Sequence, residues 1–182
     1  MSDVVQERYR AARAGDHRAL ARLISAVEDG DEAVLSLLGD DPDDSGAHVL
    51  GLTGPPGSGK STLVDQLVTR FRASGERVAV VLVDPSSPFS GGAVLGDRIR
   101  MQHHTTDPGV FIRSLGSRGH QGGMTRATDQ VLQLFRAAPF ERVIVETVGV
   151  GQTELQVMDL ADTVAVVLVP EAGDSIQTMK AG

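Results

Sequence analysis

Cysteine is absent from the 182 residues of this sequence. That excludes disulfides, thiolate metal sites and a cysteine nucleophile together. Aromatic residues make up only 3% of the chain, and the basic residues form no cluster. A nucleic-acid binder shows a basic stripe, with stacking positions if it takes single strands, so no nucleic-acid partner is expected. The N-terminal stretch MSDVVQERYRAARAGD lacks the apolar segment of a secretory signal, and no apolar run approaches a membrane span. No membrane partner is expected, and the cytoplasm is the default location. Lysine occurs only twice, at Lys60 and Lys180, and asparagine not at all.

What remains is the composition of a globular domain, 41% hydrophobic and 23% charged, long enough for a buried core. The formal charge of -7 is unevenly spread. Residues 1–47 hold 11 of the 24 acids and 5 of the 17 bases, a net of -6, whereas residues 48–182 hold 13 acids and 12 bases. Within the acidic leader, Leu20, Leu23, Ile24 and Val27 recur at helical spacing, and Val34, Leu35, Leu37 and Leu38 follow after EDGD. The pattern predicts two or three short helices broken at Gly15 and Gly30, their apolar faces packed on the domain rather than on a membrane. GDDPDDSGA, residues 39–47, reads as a polar linker. The chain thus divides into a leader, 1–47, and a domain, 48–182.

From residue 48 the pattern changes. HVLGLT (48–53), RVAVVLVD (77–84), VFIRSL (110–115), RVIVET (142–147) and TVAVVLV (163–169) are candidate strands, several of them continuously apolar. Such runs suit parallel strands covered on both faces. Amphipathic helices are predicted at 61–75 and 125–139. The alternation predicts an α/β fold with a mostly parallel open sheet flanked by helices.

GPPGSGKS, residues 54–61, fits G-x-x-x-x-G-K-[ST], with a predicted strand before it and a helix after. The chemistry accounts for the spacing. Gly54, Gly57 and Gly59 let the backbone curl so that N–H groups point inward, and the helix starting near Lys60 adds its positive end. Lys60 is expected to reach the β- and γ-phosphates and Ser61 to ligate Mg2+. Pro55, Pro56, Ser58 and Thr62 complete the candidate phosphate cradle. A plain strand-to-helix turn would need glycine but neither a lysine nor a hydroxyl at fixed places.

Other acids are candidates for the Mg2+ side. Asp84 ends the second predicted strand and Glu146 the fourth, and ligands of open α/β sheets bind at the carboxyl ends of strands. Asp97, in GGAVLGDRIRM, follows a Gly-rich stretch suited to a loop that closes over a nucleotide, and the N–H of Gly149, in ETVGVGQTE, could bond a γ-phosphate. For each acid a helix cap or a solvated charge is the alternative. His103 and His104, being adjacent, would point different ways on a helix and make a poor chelate, so they read as a surface pair. His17, His48 and His120 have no metal-ligand spacing around them. SRGHQGG, residues 117–123, reads as a structured loop near a switch or, with Arg113 and Arg118, as a solvated face. Arg98 and Arg100 beside Asp97 could assist hydrolysis or form structural salt bridges.

Five segments in order, GLTGPPGSGKSTL, VDPSSPFSGGAVLGDRIRM, FIRSLGSRGHQGG, VIVETVGVGQTE and VPEAGDSIQTMKAG, resemble the methylmalonyl-CoA mutase-associated GTPase family, MeaB, also known as ArgK or the LAO/AO transport ATPase. The resemblance spans residues 15–182. It implies a P-loop GTPase that binds GTP or GDP with Mg2+ and is chaperone to an adenosylcobalamin-dependent mutase of the methylmalonyl-CoA mutase type. Nucleotide binding and hydrolysis would gate cofactor delivery and protect or reactivate that mutase. On the same resemblance Lys60, Asp97 and Glu146 are the catalytic candidates, and Ser61, Asp84, Asp97 and Glu146 surround Mg2+. Residues 84–101 and 146–154 match two switches, and 170–182, with Asp174 and Lys180, a third that communicates with the mutase.

One departure accompanies the match. The family continues into an N-K-x-D guanine motif, further strands and a helical dimerisation arm, none of which occurs here, so a homodimer is implied for the full-length protein only. Uncovered sheet edge and apolar face are expected to limit solubility. Two other readings stand beside the GTPase. A nickel-inserting GTPase would need a cysteine or histidine metal site, against which the zero cysteine count speaks. A nucleotide-binding interaction module without turnover is the other.

Overall fold

The computed structural model describes residues 3–40, 46–84, 101–116, 123–147 and 152–169. Three helices open the chain: α1 (Asp3–Arg13), α2 (His17–Glu28) and α3 (Glu32–Asp40). Gly15 and Gly30, which separate them, both have positive φ, and Asp16 caps α2 by accepting from the backbone N–H groups of Arg18 and Ala19 at 2.8 and 3.0 Å. Of the linker expected over 39–47, residues 41–45 lie outside the described residues. Helix α3 runs to Asp40, and Ala47 is already buried.

The rest alternates strands and helices: β1 (His48–Thr53), α4 (Lys60–Ala73), β2 (Val78–Asp84), β3 (Val110–Gly116), α5 (Gly123–Ala137), β4 (Arg142–Thr147), α6 (Gln152–Met158) and β5 (Thr163–Val166), with a 3-10 turn at Gln102–His104. All five strands are parallel, in the order β3-β2-β4-β1-β5. The predicted α/β class and flanked parallel sheet are what the structure has. Its last strand stops at Val166 rather than 169, although the Val167 N–H still donates to Thr53 O at 2.8 Å.

Alternation along β2 divides the interior in two. Val78, Val80 and Leu82 join Leu52, Ile144, Met101 and the α4 residues Val64 and Val68 on one face. Ala79, Val81 and Val83 join Val143, Val145, Phe135 and the leader residues Leu20, Leu23, Ile24 and Val34 on the other. Burying both faces explains why these strands read as continuous apolar runs. The leader is therefore part of the second core. Arg113 of β3 reinforces that contact: its Nη2 donates to Ser25 Oγ at 3.0 Å and pairs with the carboxylate of Glu28, so Arg113 does not lie on a solvated face.

Two features of the sheet position the site. Strand β4 inserts between β1 and β2, with Glu146 in register with Leu52 on one side and Leu82 on the other. Among the described residues strand β5 is an edge, and Val164, Val166 and the following Leu168 are each more than 40% exposed. Among the described residues, no helix is long and apolar enough to cross a membrane.

Candidate phosphate-binding site

The loop from Gly54 to Gly59 joins β1 to α4. Gly54 has φ of 147°, and a Cβ built there would lie 2.2 Å from the carbonyl oxygen of Val167. Only glycine fits between the loop and the strand beside it. Gly59, at φ 92°, is the N-cap of α4 and supplies no side-chain cap. It opens a 14-residue helix, and the positive end of such a helix attracts anions.

Lys60 and Ser61 open that helix and are buried, 7% and 8% exposed. The Lys60 ammonium donates to the carbonyls of Gly54 at 2.7 Å and Pro55 at 3.0 Å, folding back over its own loop. Ser61 Oγ donates to Glu146 Oε1 at 2.8 Å. Strand parity brings the second contact about. Glu146 lies two residues beyond Ile144, on the face of the sheet that packs against α4, and it is only 2% exposed.

The structure thus brings together Lys60, Ser61 and Glu146 with the loop residues Gly54, Pro55, Pro56, Gly57, Ser58 and Gly59. Thr62 lies one residue further along α4, exposed. The backbone of Asp84 closes β2, one residue beyond Val83, which is in register with Thr147; its side chain is not among those described. Asp97 and Gly149 lie outside the described residues, as do 117–122 and the segment 170–182 with Asp174 and Lys180.

Whether Mg2+ suits this place can be judged from the donors. Ser61 and Glu146 offer a hydroxyl and a carboxylate in contact, the hard oxygen donors that Mg2+ takes. Ser58 Oγ in the loop and Thr53 Oγ1 at the end of β1 are shielded from solvent and have no hydrogen-bond partner among the described residues. Buried hydroxyls seldom go unpaired, and a ligand with phosphate oxygens and water would supply what they lack. The residues fit the group.

Sequence reasoning missed a second constellation on α4. His103 and His104 are not a divergent surface pair. They sit in a 3-10 turn rather than an α-helix, their rings are 4.0 Å apart, and the Nε2 of each lies 3.1 Å from Asp65 Oδ1. His104 is buried. The only trace in the sequence was Asp65 four residues after Ser61, which puts both on neighbouring turns of one helix.

Comparison with known proteins agrees with the fold. The sequence profile described as "Methylmalonyl Co-A mutase-associated GTPase MeaB" matches residues 20–182. A GTPase-named protein of Pyrococcus horikoshii is 49% identical over 179 residues, covering 98% of this chain and 56% of the relative. A protein of Cupriavidus metallidurans named "Fused isobutyryl-CoA mutase" is 42% identical over 172 residues, covering 92% of this chain and 16% of that protein. Among solved structures, one described as "LAO/AO transport system kinase" superposes with a TM-score of 0.72 at 30% identity, covering 92% of this chain and 51% of the other. The chain spans about half the length of the first relative and of that structure.

Proposed function

Because the chain belongs to the methylmalonyl-CoA mutase-associated GTPase family MeaB, we propose that it binds GTP in the 54–62 loop, hydrolyses it, and is chaperone to an adenosylcobalamin-dependent acyl-CoA mutase. The observation that carries the reading is the buried group of Lys60, Ser61 and Glu146 at the N-terminus of α4, where the N-cap is Gly59. Lys60 exchanges its two loop carbonyls for β- and γ-phosphate oxygens. With the α4 N–H groups it holds the negative charge that grows as water attacks the γ-phosphorus and the bond to the β-γ bridging oxygen breaks. Ser61 and Glu146, with Asp84 and Asp97, would hold Mg2+, which when bound neutralises charge between the β- and γ-phosphates. Gly149 is assigned to the γ-phosphate as an N–H donor that is released on hydrolysis.

The partner reading draws on the Cupriavidus relative, in which a stretch 42% identical to this chain belongs to a protein named as a fused mutase. Joining two activities in one polypeptide raises their effective concentration, which favours components that work together. The proposed role is to gate delivery of the cobalamin cofactor and to protect or reactivate the mutase, with the nucleotide state as the switch.

The test is calorimetric titration with GDP and ADP, each with Mg2+, followed by phosphate release from GTP with and without the mutase. Tight GDP binding, weak ADP binding and turnover that rises with the mutase are expected. Since this chain has no N-K-x-D, equal binding of GDP and ADP would remove guanine specificity from these 182 residues. GDP bound without turnover would leave the interaction module as the reading.

A further inference from the structure

We propose that Asp65, His103 and His104 form a binding site for a divalent transition cation of the Zn2+ class, separate from the Mg2+ position and fastening the turn at 102–104 to helix α4. The three ligand atoms lie within 4.8 Å of one another, and Asp65 Oδ1 is 3.1 Å from the Nε2 of both histidines. In a tetrahedral zinc site with bonds of about 2.0–2.1 Å, neighbouring ligand atoms are roughly 3.3–3.4 Å apart. Two edges of that tetrahedron are thus already close to length. A cation entering between the rings replaces the two N–H protons that Asp65 would otherwise accept.

The donor set chooses the metal. Two imidazole nitrogens and one carboxylate oxygen suit Zn2+, Co2+ or Ni2+, whereas Mg2+ and Ca2+ prefer oxygen alone. Exposure leaves room for a fourth ligand from solvent: the His104 side chain is 9% exposed and that of Asp65 18%, but that of His103 is 60% exposed. Asp65 is oriented from behind by Gln66, whose Nε2 donates to Oδ2 at 3.2 Å and leaves Oδ1 toward the histidines. Outer contacts of this kind orient metal ligands.

The ligands are also brought together without the metal, which reduces the ordering that binding requires. Seven residues along the same helix from Asp65, Arg72 grips Asp107 with two hydrogen bonds, Nε to Oδ2 at 2.9 Å and Nη2 to Oδ1 at 3.0 Å. Met101, just before the turn, is fully buried in the α4-side core. The turn carrying both histidines is thereby docked on α4 from either side. A metal there ties it to the helix whose first residues are Lys60 and Ser61.

Co2+ titration of the whole chain at pH 7.5 tests the site, followed by visible absorption and by displacement with Zn2+. Saturation at one equivalent with bands of tetrahedral intensity is expected, unaffected by excess Mg2+. His103→Ala, a mostly exposed position whose loss does not disturb the core, is expected to weaken binding by at least about tenfold, and Asp65→Asn likewise. His48→Ala, remote in sequence and paired with Asp162 instead, should change nothing. Absence of saturable binding, or equal affinity in His103→Ala, overturns the proposal. If Asp65→Asn fails to fold by circular dichroism, the His103→Ala result decides alone.

Discussion

Ser61 and Glu146, 85 positions apart in sequence, meet in a 2.8 Å hydrogen bond with both side chains buried. The contact depends on β4 lying next to β1 in the sheet although it follows β3 in the chain. It also defines the first prediction. Glu146→Gln keeps size and hydrogen bonding but removes the charge a divalent ion needs. GDP affinity measured with Mg2+ is expected to fall at least about tenfold, the scale of a charge-assisted hydrogen bond worth roughly 1.5–3 kcal/mol, while affinity measured in chelator changes little. An equal fall under both conditions would assign Glu146 to holding the loop rather than the metal.

Lys60→Ala separates nucleotide binding from folding. The ammonium rests on the Gly54 and Pro55 carbonyls of its own loop. Nucleotide affinity is expected to drop by about tenfold to a hundredfold, again on the scale of one or two charged hydrogen bonds, with the circular dichroism spectrum retained. Lys60→Arg is not expected to rescue it, since a planar guanidinium cannot take the place of a compact ammonium between two carbonyls. Unchanged calorimetric binding in Lys60→Ala would remove the phosphate role from this lysine.

Gly54→Ala addresses the loop itself. The added methyl would meet the Val167 carbonyl at 2.2 Å on a backbone with φ of 147°. Strain of this kind costs of order 1–3 kcal/mol, and for a domain of this size each kcal/mol moves Tm by about 2–4 °C. A fall of several degrees in Tm is expected by differential scanning calorimetry. A Tm within about one degree of wild type would mean that the loop shifts away from β5 at little cost.

Much of this was legible in the sequence because the signals were local. The five strands announced themselves as apolar runs, Gly15 and Gly30 marked the helix breaks, and the glycines of 54–61 marked the join between β1 and α4. What could not be read was long-range. No periodicity reveals that β4 inserts between β1 and β2, so Glu146 was placed by its position at a strand end rather than by a contact with Ser61. Arg113 looked like a free surface charge because its partners, Ser25 and Glu28, lie in the leader. The Asp65 cluster escaped for the same reason: adjacency of His103 and His104 was judged by helix geometry, whereas a 3-10 turn against α4 lets both rings reach one carboxylate.

The β5 edge gives a prediction about association. Val164 and Val166 stand 44% and 47% exposed on a strand that, among the described residues, has a partner on one side only, and Leu168 follows at 46%. Unpaired apolar edges recruit further strands. The 182-residue chain is expected to self-associate with rising concentration, and Val166→Lys to reduce this, read by sedimentation velocity. Identical behaviour of the two would place the contact elsewhere.

His17 predicts a pH dependence of stability. Its ring makes an edge contact with Phe111 at 5.4 Å and stacks on Phe140 at 6.0 Å, and its Nε2 is shielded without a hydrogen-bond partner among the described residues. Burial first, and then the nearby Arg77 guanidinium, hold its pKa below the ordinary 6.5, opposed by the weaker pull of Asp16. The native protein therefore keeps the ring neutral where the unfolded chain would take a proton. The stabilisation is fully present above pH 6.5 and is lost as the pH falls from there toward the depressed native value. The carboxylate of Asp107, lowered from 3.8 by Arg72 and the Gly109 N–H, titrates in a more acidic range and does not interfere. Urea denaturation between pH 7.5 and 5.5 should show stability declining with acidity in the wild type and declining less in His17→Leu, which fills the same space between the phenylalanines without a group to protonate. The same decline in both would show that the ring takes up its proton in place, with Arg77 and the aromatic neighbours exerting no net effect on it.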